Sequence, residues 1–81
     1  MVMDVTDLNP AQKGALIVLV DAYREAVTWS VRVRKATDLA AKEKASDQLQ
    51  SSILLLTKFL EQFPGTGIIH AERLVVKMRT Q

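Results

Sequence analysis

Between Gly14 and Pro64 the chain contains neither glycine nor proline. These two residues most readily end a helix or turn a chain, so an element that starts ahead of this stretch runs far before it meets a strong stop. The hydrophobic spacing inside the stretch is helical. Strict alternation occurs only across Val31-Arg32-Val33-Arg34, too short and too deep in the helical pattern to be a strand. The pattern predicts an all-α chain: an antiparallel helical hairpin plus a shorter third helix, with helices over about 10–36, 38–63 and 67–79.

The first helix has a strong start. In Asn9-Pro10-Ala11-Gln12, Asn9 suits the cap, Pro10 the first helical position, and Gln12 the place where a capping box closes. At 100° per residue, Asp21, Arg24, Glu25, Thr28, Arg32 and Lys35 share one polar stripe with Gly14. Leu16, Val18, Val20, Tyr23, Val27, Trp29 and Val31 lie among the apolar residues that fill the rest of the girth. A surface helix needs an apolar arc only somewhat wider than about 100°. This one has about twice that on the same construction, so it demands cover on more than one side.

The reversal into the second helix must use weak signals. Thr37-Asp38 and Ser46-Asp47 are both plausible caps; Thr37 is preferred because Ala41, Ala45, Leu49, Ser52, Ile53, Leu56, Leu60 and Phe63 then form one stripe. An unbroken rod over 10–63, about 80 Å long, is the competing reading. Pro64 ends the second helix at Phe63, Pro64-Gly65 turns the chain, and Thr66 caps a third helix with Ile68, Ala71, Leu74, Val75 and Met78 inward. Residues 1–8 are expected to be a flexible segment ahead of a single helical domain over 9–81.

A chain of 81 residues has one small core at most. With 5% aromatic residues and no cysteine, that core is aliphatic and unstapled, which excludes disulfides, thiolate metal sites and cysteine nucleophiles. Leu54, Leu55, Ile69 and Val76 fall outside their helices' stripes, so three helices leave apolar surface uncovered. The expectation is a homo-oligomer, a dimer or higher, that completes the core, with Leu16, Val20, Tyr23, Val27, Val31, Leu54 and Leu55 at the interface.

Nothing points to catalysis or to a metal, and no cofactor is expected. The only histidine, His70, has no metal-ligand partner at helical spacing. Ser30 lies on the apolar side of helix one and is expected to bond a carbonyl one turn earlier. Net charge is +2, but the bases are local. Arg32, Arg34, Lys35, Lys42 and Lys44 gather around the first reversal; His70, Arg73 and Lys77 make a stripe on helix three. Both zones suit an anionic partner.

The function expected is therefore a small non-enzymatic binding or regulatory module that presents helical surface to another protein. One alternative is nucleic-acid binding through the two basic zones. The other is capture of a small anionic ligand such as a nucleotide at a subunit interface near Tyr23, Arg34 or the 65–67 turn. The longest apolar run, Ala15 to Val20, is far short of the roughly 20 residues that span a bilayer, so no membrane is expected. The acidic start MVMDVTDLNP lacks the basic opening of a secretory signal, so a bacterial or viral-host cytoplasm is the expected home.

Overall fold

A computed structural model describes residues 4–35 and 37–80. A short 3-10 helix, Val5–Asp7, leads into α1 (Pro10–Val33), α2 (Leu39–Leu60) and α3 (Ile68–Thr80), and no strand occurs among the described residues. α1 and α2 form the hairpin, so the continuous rod is excluded.

α1 starts as its sequence dictates. The Asn9 side chain accepts from the Gln12 backbone N–H at 2.8 Å, and Gln12 Oε1 accepts from the Asn9 backbone N–H at 2.9 Å. Two otherwise orphaned donors are satisfied reciprocally. The helix ends at Val33, short of the expected limit near Ala36, a residue outside those described. Asp38, not Thr37, caps α2: its carboxylate accepts from the Ala40 N–H at 3.0 Å. The stronger acceptor wins, since a carboxylate at a helix N-terminus also meets the favourable end of the dipole.

α2 ends at Leu60 rather than Phe63. The amides of Gln62 and Phe63 bond back to Phe59 and Leu60, the tighter i→i+3 pattern that commonly finishes a helix. Phe63 precedes a proline, which disfavours the α region for it. Its ring stays near Phe59, with centroids 5.8 Å apart. Gly65 then turns the chain with φ +88°, a left-handed conformation that favours glycine.

The core is concentrated where α3 meets the hairpin. Leu16 and Val20 of α1, Leu56 and Leu60 of α2, and Ala71, Leu74 and Val75 of α3 are buried together. Two expectations change here. Leu16 and Val20 are 0% exposed inside the chain's own core, so neither reaches an oligomer interface. Residues 4–8 also pack rather than trail: Val5 and Leu8 are buried in the same cluster. The backbone of Asp4 donates to Asp7 Oδ2 at 2.8 Å while its carboxylate accepts from the Val5 N–H at 2.7 Å, which fixes the turn that presents them. The rest of the expected flexible segment, residues 1–3, lies outside the described residues.

Candidate interaction surfaces

The hairpin has two broad faces, and the three-helix arrangement treats them differently. α3 lies over the base half of one. Gly67 and Ile68 at its start line a crevice with Thr57 and Leu60 of α2, and Arg79 at its end pairs with Asp21 of α1. Toward the tip that face carries no third helix. There Ser30 and Val33 of α1, Arg34 at its C-cap, and Lys42, Ala45, Ser46 and Leu49 of α2 line a shallow groove of about 290 Å³. Helical spacing places Val27 and Val31 on the Arg34 edge and Ile53 on the Leu49 edge. Val27 and Leu49 are half-buried, while Val31 is 53% exposed. Ser30 Oγ donates to the Ala45 carbonyl at 3.5 Å, a contact across the hairpin rather than the expected bond within α1. Small residues at 26, 30 and 45 allow this approach.

The opposite face carries no third helix. Ala22, Glu25, Ala26 and Trp29 of α1 face Asp47, Gln48, Ser51 and Ser52 of α2 across an open groove. One turn nearer the base, Val18 and Leu55 continue the two helix faces, with Leu54 on the outer edge. These three side chains are 67%, 56% and 68% exposed.

The seven residues expected at one interface therefore separate. Leu16 and Val20 are core. Tyr23 is half-buried and packs against the core cluster, one helical turn before Val27. Leu54 and Leu55 belong to the other side of the hairpin.

The basic tip separates as well. Arg32, Arg34, Lys35, Lys42 and Lys44 are all exposed, yet only Arg34 and Lys42 line one groove. Arg32 lies on the polar stripe of α1, in a mixed-charge crevice with Asp21, Arg24, Glu25 and Arg79. The helix-three stripe is partly engaged in the fold. Lys77 Nζ sits 3.6 Å from Asp4 Oδ1. The hydrogen bond from the Val5 amide, then the positive charge of Lys77, with a smaller contribution from His70, hold the Asp4 carboxyl below its ordinary range. Arg73 lies apart from them, in a crevice with Arg24, Ile69, Glu72 and Val76. At the 65–67 turn, Glu61 shares the crevice with Thr66 and Gly67 and sets a carboxylate where an anion was expected.

The described residues bury no polar or charged side chain and hold no cluster of three His, Asp or Glu arranged for a metal ion. No helix among them is long and apolar enough to cross a membrane. What the sequence reading missed is the acidic character of the α3-free face, where Glu25 and Asp47 line one groove from two helices. The sequence signal for it was the placement of both on the same side of an antiparallel pair. Comparison with protein-family models, with curated proteins and with solved structures finds no match to this chain.

Proposed function

We propose that the chain is a small, non-enzymatic helical binding module that acts through protein–protein contacts as a homo-oligomer, its copies meeting on the face that α3 leaves bare. One observation carries the reading: Val18, Leu54 and Leu55, three large aliphatic side chains, are each more than half exposed on that side of the hairpin. Leaving such side chains in water forgoes roughly 1.5–3 kcal/mol each that full burial would supply, and contiguous apolar patches on a small chain mark partner surfaces. A second copy is the simplest partner, because a two-fold axis covers one patch with another. Glu25 and Asp47 border the same face, so copies that met squarely over them would set like charges together. The contact is therefore centred toward the base, on Leu55 and Val18.

The test is mass in solution. Light scattering at micromolar concentration should give a multiple of the 9.0 kDa chain, and Leu55→Glu should bring it to one chain with the helical circular dichroism spectrum kept. A wild-type mass of one chain would refute the oligomer. The nucleic-acid alternative is weakened by the separation of the basic tip over different faces and by the pairing of Lys77 with Asp4. The small-anion alternative is weakened at the 65–67 turn by Glu61.

A further inference from the structure

α3 is an amphipathic helix seated on the base half of one hairpin face, with Ala71, Leu74 and Val75 turned into the core. The tip half of that face has the same construction without the helix. Its floor is Ala45 and Val33, both buried, and Leu49 lines its α2 wall; helical spacing carries Val31 and Val27 on from Arg34 along the α1 wall, and all three remain partly in water. From Tyr23 to Arg34 the open stretch of α1 runs about 16 Å, the length of three helical turns. The rim has one sign of charge. Arg34 stands at the C-cap of α1 and Lys42 on α2, no carboxylate lines the groove, and neither cation forms an ion pair among the described residues.

We infer that the groove bounded by Val27, Val31, Arg34, Lys42 and Leu49 is a docking site for an acidic amphipathic helix of a partner protein, which lies beyond α3 on the same face. The inference rests on the reading of the chain as a binding module and names where the partner sits and what it carries. A helix laid in a groove anchors through apolar residues at i, i+3, i+4 and i+7. Acids flanking that stripe would meet Arg34 on one wall and Lys42 on the other, which fixes orientation and excludes basic helices. The aliphatic walls favour a protein helix over nucleic acid, which gains from aromatic platforms and rows of cations. The groove holds one cation on each wall and no aromatic ring. A second copy of this chain fits less well: its bare face is centred on Leu55 and Val18, on the far side of the hairpin.

The experiment uses the full chain and three synthetic 14-residue peptides with one Leu/Ile stripe: one flanked by Glu, one by Lys and one by Gln. A short DNA duplex and dilution of the protein alone serve as further arms. Backbone and methyl NMR shifts report the site. The Glu peptide should bind at least tenfold more tightly than the Lys peptide, weaken as salt rises, and shift Val27, Val31 and Leu49 together. In the Arg34→Glu/Lys42→Glu variant the order of the Glu and Lys peptides should reverse, with the spectrum of the fold and the mass by light scattering unchanged. Lys42→Glu alone should narrow the difference between the peptides without reversing it, which keeps the test open should the double variant misfold.

Equal binding of all three peptides, no binding at millimolar concentration, or an unchanged order in the charge-reversed variant would overturn the proposal. So would displacement of the Glu peptide by the DNA duplex from the same residues, or shifts at Val27 and Val31 on dilution, which would give the groove to nucleic acid or to a second copy. The oligomer stands or falls separately. Leu55→Glu should change the mass and leave peptide binding intact.

Discussion

The two ends of the hairpin have the same two helices but different interiors. At the base, Leu16, Val20 and Leu56 are each 0% exposed and Val75 is 1%, the largest fully buried side chains described. At the tip the buried residues are Ala26, Val33 and Ala45, none larger than valine, while Tyr23, Val27 and Leu49 are only half covered. The cause is length. α1 has 24 residues and so runs about 36 Å, whereas α3 has 13 and runs about 20 Å. A third helix of that reach, even helped by Val5 and Leu8, covers little more than half the hairpin. Fold stability is therefore concentrated at the base, and on the α3 side of the hairpin the tip is the part left open.

The sharpest way to break this comparison is to remove the same side chain from each half. Leu56→Ala should cost about 3 kcal/mol, because the site is enclosed and the cavity stays partly open after relaxation. In a chain this small that is a large share of the total stability. Leu49→Ala should cost about 1 kcal/mol, since the residue already borders water and leaves no closed void. Urea denaturation of the two variants checks the difference. Equal losses would mean that the tip is as tightly packed as the base.

A smaller effect isolates the hinge that delivers α3 to the base. Gly65 holds φ +88°, and a Cβ added there meets nothing within 4 Å. Gly65→Ala should therefore lose about 1 kcal/mol through backbone strain alone. Gly67 also has open space but no positive φ, so Gly67→Ala should lose much less. On the exposed face of α1, Gly14→Ala should gain up to about 1 kcal/mol from helix propensity. Thermal melts of the three variants rank the signs. A Gly65 variant as stable as the parent would show that the turn can find another conformation and that α3 is not held by it.

Much of this architecture was readable in the chain. The Asn9-Gln12 box, the inner stripe of α3 and the turn at Pro64-Gly65 follow from local chemistry, and all appear where spacing puts them. Periodicity also announced that α1 needs cover on more than one side. It could not say which apolar face each neighbour takes, and that is why Leu16 and Val20 read as interface while α3 and the N-terminal turn in fact cover them. The N-terminal turn itself was legible only faintly. Asp4 and Asp7 have the three-residue spacing of a reciprocal cap, but two apolar residues in so short a segment give no period to measure. The basic tip is exposed as expected, but its division between faces was not legible for a simpler reason. Arg32 and Arg34 are close in sequence, yet residues two apart on a helix do not face each other, so one points to the polar stripe and the other to the groove.

The smallest effect concerns the turn that thickens the base, and it carries a pH signature. The Asp4 carboxyl is held below its ordinary range first by the Val5 amide it accepts from and then by the charge of Lys77. A carboxyl whose pKa is lower in the folded chain than in the unfolded one binds its proton less readily when folded. Its contribution is therefore fully present above the ordinary carboxylate pKa and is lost as pH falls through the folded value. Asp4→Ala removes both the acceptor and the charge, so wild type should melt slightly above the variant at neutral pH. That gap should hold as pH is lowered to about 5 and close below about 4, where the unfolded carboxyl first takes up its proton. Melting curves of the pair across this window check it. The difference cancels the other carboxylates, which titrate alike in both proteins. High salt should shrink the part due to Lys77 and leave the hydrogen-bonded part, because screening acts on the exposed ion pair. A gap of zero from neutral pH into acid would assign the turn's stability to Val5 and Leu8 alone, and the base would then owe its extra layer to apolar burial without help from charge.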